Sequence, residues 1–371
     1  MFIKLNNLDC FRFKNYYKCI FESLDKCGDI CEKNEINIFI VYKNVVYFRK
    51  ESYKDCINNL VYVKGAVMYL YNINLKYYID DLDRINRYTI GINKYNNYKS
   101  DNFLEKSTFL EVLKNIRSNE WKFQHYNNFN NFINKYNFNF ILNHYDLSHS
   151  LDKPTFVKSR NLILPKKSVI LPLENLYIPS FYDYILSYDI PFHKKLNSCV
   201  WRGANSGNFN CSNINKASRY DLVHKYSNHN LYNIGLSYAN YKTINNCQIK
   251  NKLSIKEQLK YKFIISVEGN DFATNLSWIM LSNSVPLMPK CTVETWKLES
   301  YLIEYEHYIP LKNDFSDLDE QMDWCLNNLD KCEQIAFNSR LYVLQFFNKD
   351  RENKIIDEVI KKYSNNVIFM K

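Results

Sequence analysis

Glycine and proline are sparse in this chain, 7 and 8 among 371 residues. With so few glycines, each is expected where a side chain would not fit. Apolar runs are short, and none approaches the roughly 20 residues of a membrane-spanning helix, so no transmembrane segment is expected. The N-terminal stretch MFIKLNNLDCFRFKNYYK carries charges throughout and lacks the apolar centre of a signal peptide. The 11 cysteines include no CxxC pair with a histidine partner, which argues against zinc. Cys27 and Cys31 are the closest two, and the odd number at irregular spacing suggests reduced thiols in a cytoplasmic protein. Blocks of like charge are also missing, as are finger, homeodomain and RRM signatures. The net charge of +10 therefore points to an anionic ligand rather than to nucleic acid.

What is present is an ordinary apolar fraction and a strong excess of Asn, Tyr and Lys, read as AT-rich codon usage of a low-GC microbe or large virus. A sizeable core can form without staples, and the length favours two domains. The most informative stretch is SIKEQLKYKFIISVEGNDFATNLSWIMLSNSVPLMP, residues 254–289. Phe263 to Val267 is a charge-free strand, Glu268-Gly-Asn-Asp271 a polar break, Phe272 to Ser282 a helix, and Val285 to Met288 a second strand. That order predicts a parallel β-α-β unit. Ligands bind at the carboxyl ends of such strands, beside the N–H groups of the following helix.

Elsewhere, residues 1–33 read as helical with Phe11, Tyr17, Ile20 and Phe21 on one side. Ile36 to Tyr42 and Val45 to Arg49 make a hairpin around Lys43-Asn44. Helices are expected over 107–116, 129–136, 318–329, 331–348 and about 350–363. Asn137 to Asn143 alternates as a strand and leads to Asp146, flanked by His144 and His149. Asp146 is either a carboxylate displayed at a strand end or a turn residue. Asp81-x-Asp83 is formally a DxD, which could hold a metal and a diphosphate, or simply a helix start. Five prolines between 154 and 191 mark an extended crossover and the natural domain boundary. Beyond it, strand Ser198 to Trp201 ends in Arg202-Gly-Ala-Asn-Ser-Gly207. Arg202 with Arg219, on the next helix start, could clamp a diphosphate, or each could pair with a nearby carboxylate.

Taken in order, Trp201-Arg-Gly-Ala204, Arg219, Lys262, Glu268-Gly-Asn-Asp-x-Ala-Thr-Asn275, Trp278, Asn283-Ser-Val285, Trp296 and His307-Tyr-x-Pro-Leu311 resemble glycosyltransferase family 90. This family contains capsule-associated, lipopolysaccharide-modifying and protein O-glucosyltransferase members. The resemblance is strong over about 190–345, weaker over 137–190, and does not extend before 137. It implies a GT-B α/β fold: two Rossmann-like domains, here 1–185 on the acceptor side and 186–371 on the nucleotide-sugar side, with the last helix crossing back. It implies inverting, metal-independent transfer of a hexose or pentose, glucose or xylose foremost, from a UDP-sugar to a glycan or protein hydroxyl. The family base lies in an N-x-R-D-x-P motif. Asn143-His-Tyr-Asp146-Leu-Ser148 matches it except at Tyr145 and Ser148, so Asp146 becomes the expected base, with Asp152 and Asp183 as substitutes. The donor would be held by Arg202, Gly203, Ala204, Ser206, Arg219, Glu268, Gly269, Asn270, Asp271, Thr274 and Asn275. No cofactor or metal is expected. Trp201 and Trp278 are expected in the core. The competing readings are a metal-dependent GT-A enzyme using Asp81 and Asp83, and a non-enzymatic basic module for anionic glycan or nucleic acid.

Overall fold

A computed structural model describes the chain except residues 1, 11–14, 72–75, 91, 93–95, 100–103, 116–120, 144–150, 163–166, 174–178, 208–216, 239–248 and 371. The expected base Asp146 and its neighbours His144, Tyr145, Ser148 and His149 lie outside the described residues.

Strands β1 (Phe2–Asp9), β2 (Tyr17–Ile20), β3 (Ile38–Tyr42), β4 (Val45–Arg49) and β5 (Val61–Tyr71) form one sheet in the order β1-β5-β3-β4-β2. Every neighbouring pair is antiparallel. Only α1 (Leu24–Asn34) of the helix expected over 1–33 exists. A bulge at Asn7, φ 59°, resets the alternation between Asn6 and Leu8. Leu5 and Leu8 are therefore both buried, at a spacing that mimics a helix. Tyr17 and Ile20 are exposed on the edge strand β2 rather than buried. The hairpin between β3 and β4 turns through Lys43 and Asn44, φ 48° and 63°, the two left-handed residues that match strand twist.

Helices α2 (Tyr53–Asn58) and α3 (Asp81–Tyr88) start at Ser52 and Asp80, whose side chains accept from the backbone N–H groups of Asp55 and Asp83. Then come β6 (Asn96–Lys99), α4 (Lys106–Asn115), α5 (Trp121–Ile133) and β7 (Leu142–Asn143). The strand expected over 137–143 is thus only its last two residues. β7, β8 (Thr155–Val157), β9 (Ser159–Asn161) and β10 (Ser168–Ile170) lie before and within the proline-rich stretch, which ends in α6 (Pro179–Tyr188). A three-stranded parallel sheet, ordered β10-β8-β7, aligns Asn143 with Val157 and Val157 with Ile170. The chain therefore leaves all three strands at one edge.

The remaining strands are β11 (Leu196–Ala204), β12 (Asn233–Tyr238), β13 (Tyr261–Ile265), β14 (Val285–Pro289), β15 (Val293–Thr295) and β16 (Ile309–Leu311), with α7 (Arg219–Tyr226), α8 (Ile255–Gln258) and α9 (Leu276–Leu281) between them. Five of them form a wholly parallel sheet, β12-β11-β13-β14-β16. The β-α-β unit expected around 263–288 is β13-α9-β14. Cys199, Trp201, Phe263, Ile265, Val285 and Leu287 pack in one cluster. Val200, Ile264 and Met288, which alternate with them, pack in another. Both faces are covered, as a parallel sheet requires. β9 pairs antiparallel with β15, which ties the proline-rich stretch to this half of the molecule.

Helices α10 (Leu318–Asn327), α11 (Leu329–Leu344) and α12 (Lys349–Asn366) precede β17 (Val367–Met370), which pairs with β6. α12 returns to the N-terminal residues. Arg351 bonds Asp81 at 2.6 Å, and Glu352 forms a buried pair with Arg84. One buried cluster runs from Leu5 through Val200 to Tyr363, continuous across residue 185. The fold is mixed α/β. Its C-terminal five-stranded sheet is wholly parallel, with its own strands in the order 2-1-3-4-5 counted along the chain, while the residues before it hold an antiparallel five-stranded sheet and a parallel three-stranded one. Among the described residues no helix is long and apolar enough to cross a membrane.

His307, just before β16, is 1% exposed. Its Nδ1 accepts the Ile303 N–H at 2.9 Å. Burial, against a smaller pull from Glu306, lowers its pKa from 6.5 to about 4. Protonation therefore favours the unfolded chain. Stability is complete above about pH 6.5, declines between 6.5 and 4, and is flat below. Between pH 7 and pH 5 the loss from this group is about 2 kcal/mol. Urea titrations at both pH values should show that difference in the wild type and its absence in His307→Gln; parallel curves would assign the pH dependence to other groups.

Candidate functional site

A pocket opens at the carboxyl ends of β13 and β14, lined by Ala217, Ser266, Glu268, Phe272, Pro289 and Thr292 among others. This is where an open parallel sheet holds its ligand. The Glu268 carboxylate accepts the N–H groups of Thr292 at 2.8 Å and Val293 at 3.0 Å, and the Thr292 hydroxyl. Three donors fix its orientation at the pocket wall.

Beside it, the ends of β11 and β13 meet. Arg219 opens α7, and its guanidinium donates to Ala204 O at 3.2 Å, Ser206 Oγ at 2.8 Å and Val267 O at 2.9 Å. Burial lowers its pKa to about 10, opposed by Glu268, so it stays charged at neutral pH. Gly207 has φ +108°, and a Cβ there would lie 3.0 Å from the Gly269 backbone. A Cβ on Gly269 would in turn meet Ser206 Oγ and the Arg219 guanidinium at 2.9 and 3.0 Å. Both positions therefore need glycine, one for conformation and close approach, the other for space. The Gly207 N–H donates to Asn270 Oδ1 at 2.9 Å. Gly203 leaves room for the buried ring of Trp201, which is core, as is Trp278.

The structure gathers Ala204, Ser206, Arg219, Gly269 and Asn270 with Glu268 nearby, but Arg202 is elsewhere. Successive strand residues point to opposite faces. Trp201 shares Arg219's face, its ring 5.9 Å from that guanidinium, and Arg202 faces away. Its guanidinium donates to Trp201 O, Asn233 O, Asn233 Oδ1 and Asn251 O, so Arg202 and Arg219 do not converge on one site. The expected helix from Phe272 begins only at Leu276, and its start is not presented as expected. Asn275 Nδ2 donates to Ile265 O and Asn275 Oδ1 accepts from Ser266 Oγ, while Thr274 is exposed. Asp271 is buried, accepting Ser159 Oγ at 2.8 Å and pairing with Lys158 at 3.3 Å.

Lys158 and Ser159 were not foreseen. They lie in a proline-rich stretch with no motif, and the only available signal was the charged VKSR run interrupting apolar residues. Asp81 and Asp83 sit in the first turn of α3, with Asp80 as cap and Arg351 on Asp81. Among the described residues no three His, Cys, Asp or Glu side chains converge as metal ligands. Asp152 is exposed, and Asp183 lies on α6 accepting from Ser187 Oγ at 3.2 Å.

The carboxyl edge of a parallel α/β sheet is where such folds bind ligands, and here that edge carries a pocket, a close glycine contact and one half-buried arginine. Residues 187–370 match glycosyl transferase family 90, so this region of the chain is similar to that glycosyltransferase family. The chain is 34% identical over 219 residues to O-glucosyltransferase LpsA of Dichelobacter nodosus, covering 59% of this chain and 64% of that one. It is 29% identical over 197 residues to uncharacterized protein 179R of Invertebrate iridescent virus 6, covering 45% of this chain and 17% of that one. Protein O-glucosyltransferase 3 of Rattus norvegicus is 28% identical over 108 residues, 28% of this chain and 20% of that one. The chain thus spans less than two thirds of each of these relatives.

Proposed function

We propose that the protein transfers a hexose or pentose, glucose or xylose foremost, from a UDP-sugar to a hydroxyl of a glycan or protein, with inversion and without a metal. The observation that carries this reading is the pocket at the carboxyl ends of β13 and β14 with Arg219 beside it, in a chain similar to that glycosyltransferase family. In the reaction Asp146 takes the proton of the acceptor hydroxyl. The oxygen attacks the anomeric carbon, the bond from that carbon to the β-phosphate oxygen breaks, and UDP leaves from the opposite face. Arg219, a half-buried cation at the edge of the pocket, would stabilise the departing diphosphate. Glu268, oriented by Thr292 and Val293, would accept from the ribose hydroxyls. The GT-A alternative is less favoured, because Asp81 is engaged by Arg351.

UDP at 100 times its Kd should stabilise the fold by about 2.7 kcal/mol, seen as a raised melting temperature. GDP and CMP should shift it less. Arg219→Ala should weaken UDP binding far more than uridine binding, whereas Arg202→Ala should leave the UDP-to-uridine ratio unchanged. A shift with GDP or CMP but none with UDP would make the donor assignment wrong.

A further inference from the structure

The polar turn between β13 and α9 is held at three points, and a different side chain serves each. Glu268 accepts from Thr292 and Val293 at the start of β15, and Asn270 accepts the Gly207 N–H beyond β11. Asp271 instead reaches back to residues far earlier in the chain. Its Oδ2 accepts from Ser159 Oγ at 2.8 Å and lies 3.3 Å from Lys158 Nζ. Asp271, Ser159 and Lys158 are all buried. The Lys158 ammonium also lies 5.9 Å from the centre of the Phe272 ring, a wall of the pocket.

Lys158 and Ser159 stand at a junction. Lys158 directly follows β8, at the edge where the chain also leaves β7 toward Asp146. Ser159 opens β9, whose partner β15 starts beside the pocket. A buried ion pair stabilises a fold no better than packed apolar side chains, because desolvation offsets its attraction. What a hydrogen-bonded carboxylate adds is direction, since its bonds hold only at the right distance and angle. We propose that Asp271 is a positioning residue for sugar transfer. Through Ser159 and Lys158 it fixes the donor-side turn against the carboxyl edge of the three-stranded sheet, so that donor and base meet in register. This rests on the glycosyltransferase reading above, and it replaces the direct donor contact expected of Asp271 from the sequence.

The full chain is compared with Asp271→Asn, Lys158→Met and the double variant, reading UDP binding by calorimetry and UDP-glucose turnover with water as the acceptor. Asparagine keeps an acceptor for Ser159 and removes the charge. Each single variant should lower the turnover number about ten- to a hundredfold, the scale of an ångström's misplacement, and leave UDP affinity within about twofold of wild type. Glu268, Asn270 and Arg219 keep their partners in both. The double variant should be no slower than the slower single one, because both substitutions remove the same contact. Ser159→Ala, which deletes one hydroxyl, serves where Asp271→Asn fails to fold, with the same split expected. Equal losses of turnover and UDP affinity, or losses that multiply in the double variant, overturn the proposal. Hydrogen exchange reads the connection without any substrate. In Asp271→Asn the amides of 268–271 and of β8 and β9 should exchange faster together; acceleration confined to 268–271 overturns the proposal whether or not UDP-glucose is the donor. Joint acceleration in a protein whose wild type neither binds UDP nor turns over UDP-glucose would instead count against the donor reading.

Discussion

Asp146→Asn is expected to slow sugar transfer by about 10²–10⁴-fold, the usual contribution of a positioned base, while UDP binds as in the wild type. Asparagine keeps the size and most hydrogen bonds of the carboxylate but cannot take the acceptor proton. The loss should therefore fall on kcat and spare donor affinity. Two observations converge on this residue. It stands where the family motif has its base, and it follows β7, whose carboxyl end shares an edge with β8 and β10. Transfer within about tenfold of wild type would remove Asp146 from the mechanism. Asp152 and Asp183 would then be tested as asparagine variants. Asp152 precedes β8 and so lies toward its amino end, while Asp183 bonds Ser187 within α6, which makes each a weaker candidate on geometry.

Glu294→Ala should destabilise the protein by about 3–5 kcal/mol, the range seen when one partner of a buried ion pair is removed. Glu294 is fully buried. Its carboxylate receives Arg160 Nε at 3.1 Å and Arg87 Nη2 at 3.0 Å, with a further bond from Ser300 Oγ. Burial pushes its pKa up, but the two arginines and Ser300 outweigh that and hold it below the usual glutamate value. Alanine would leave Arg160 buried with its main anion gone. Against a typical total of about 5–15 kcal/mol, such a loss should lower the urea midpoint by about a fifth or more. A midpoint change worth less than about 1 kcal/mol would show the cluster behaving like an exposed pair. The cluster joins α3, β9 and β15, so the same substitution should also loosen the segment that places Lys158 beside Asp271.

The amino-acid sequence by itself determined the central β-α-β unit and the location of its polar turn. A charge-free strand, a short amphipathic helix and a second apolar strand have only one economical arrangement, and the scarcity of glycine made Gly207 and Gly269 conspicuous. The helix start read as the alternative at Asp81-x-Asp83 is α3, capped by Asp80. The family motifs could be read in order because each is local in sequence. What only the tertiary structure decided is which charged groups face one another. Arg202 and Arg219 looked equivalent until strand alternation sent one to each face of the sheet. Glu268, Lys158 and Asp271 acquired their roles from partners 24 to 113 residues away in sequence, such as Thr292 for Glu268 and Lys158 for Asp271. The N-terminal sheet was hidden for a related reason. Tyr17 and Ile20, read as one apolar helix side, are exposed on an edge strand, and strand pairing, which depends on residues some sixty positions apart as in Leu5 with Met68, leaves no mark in either strand alone.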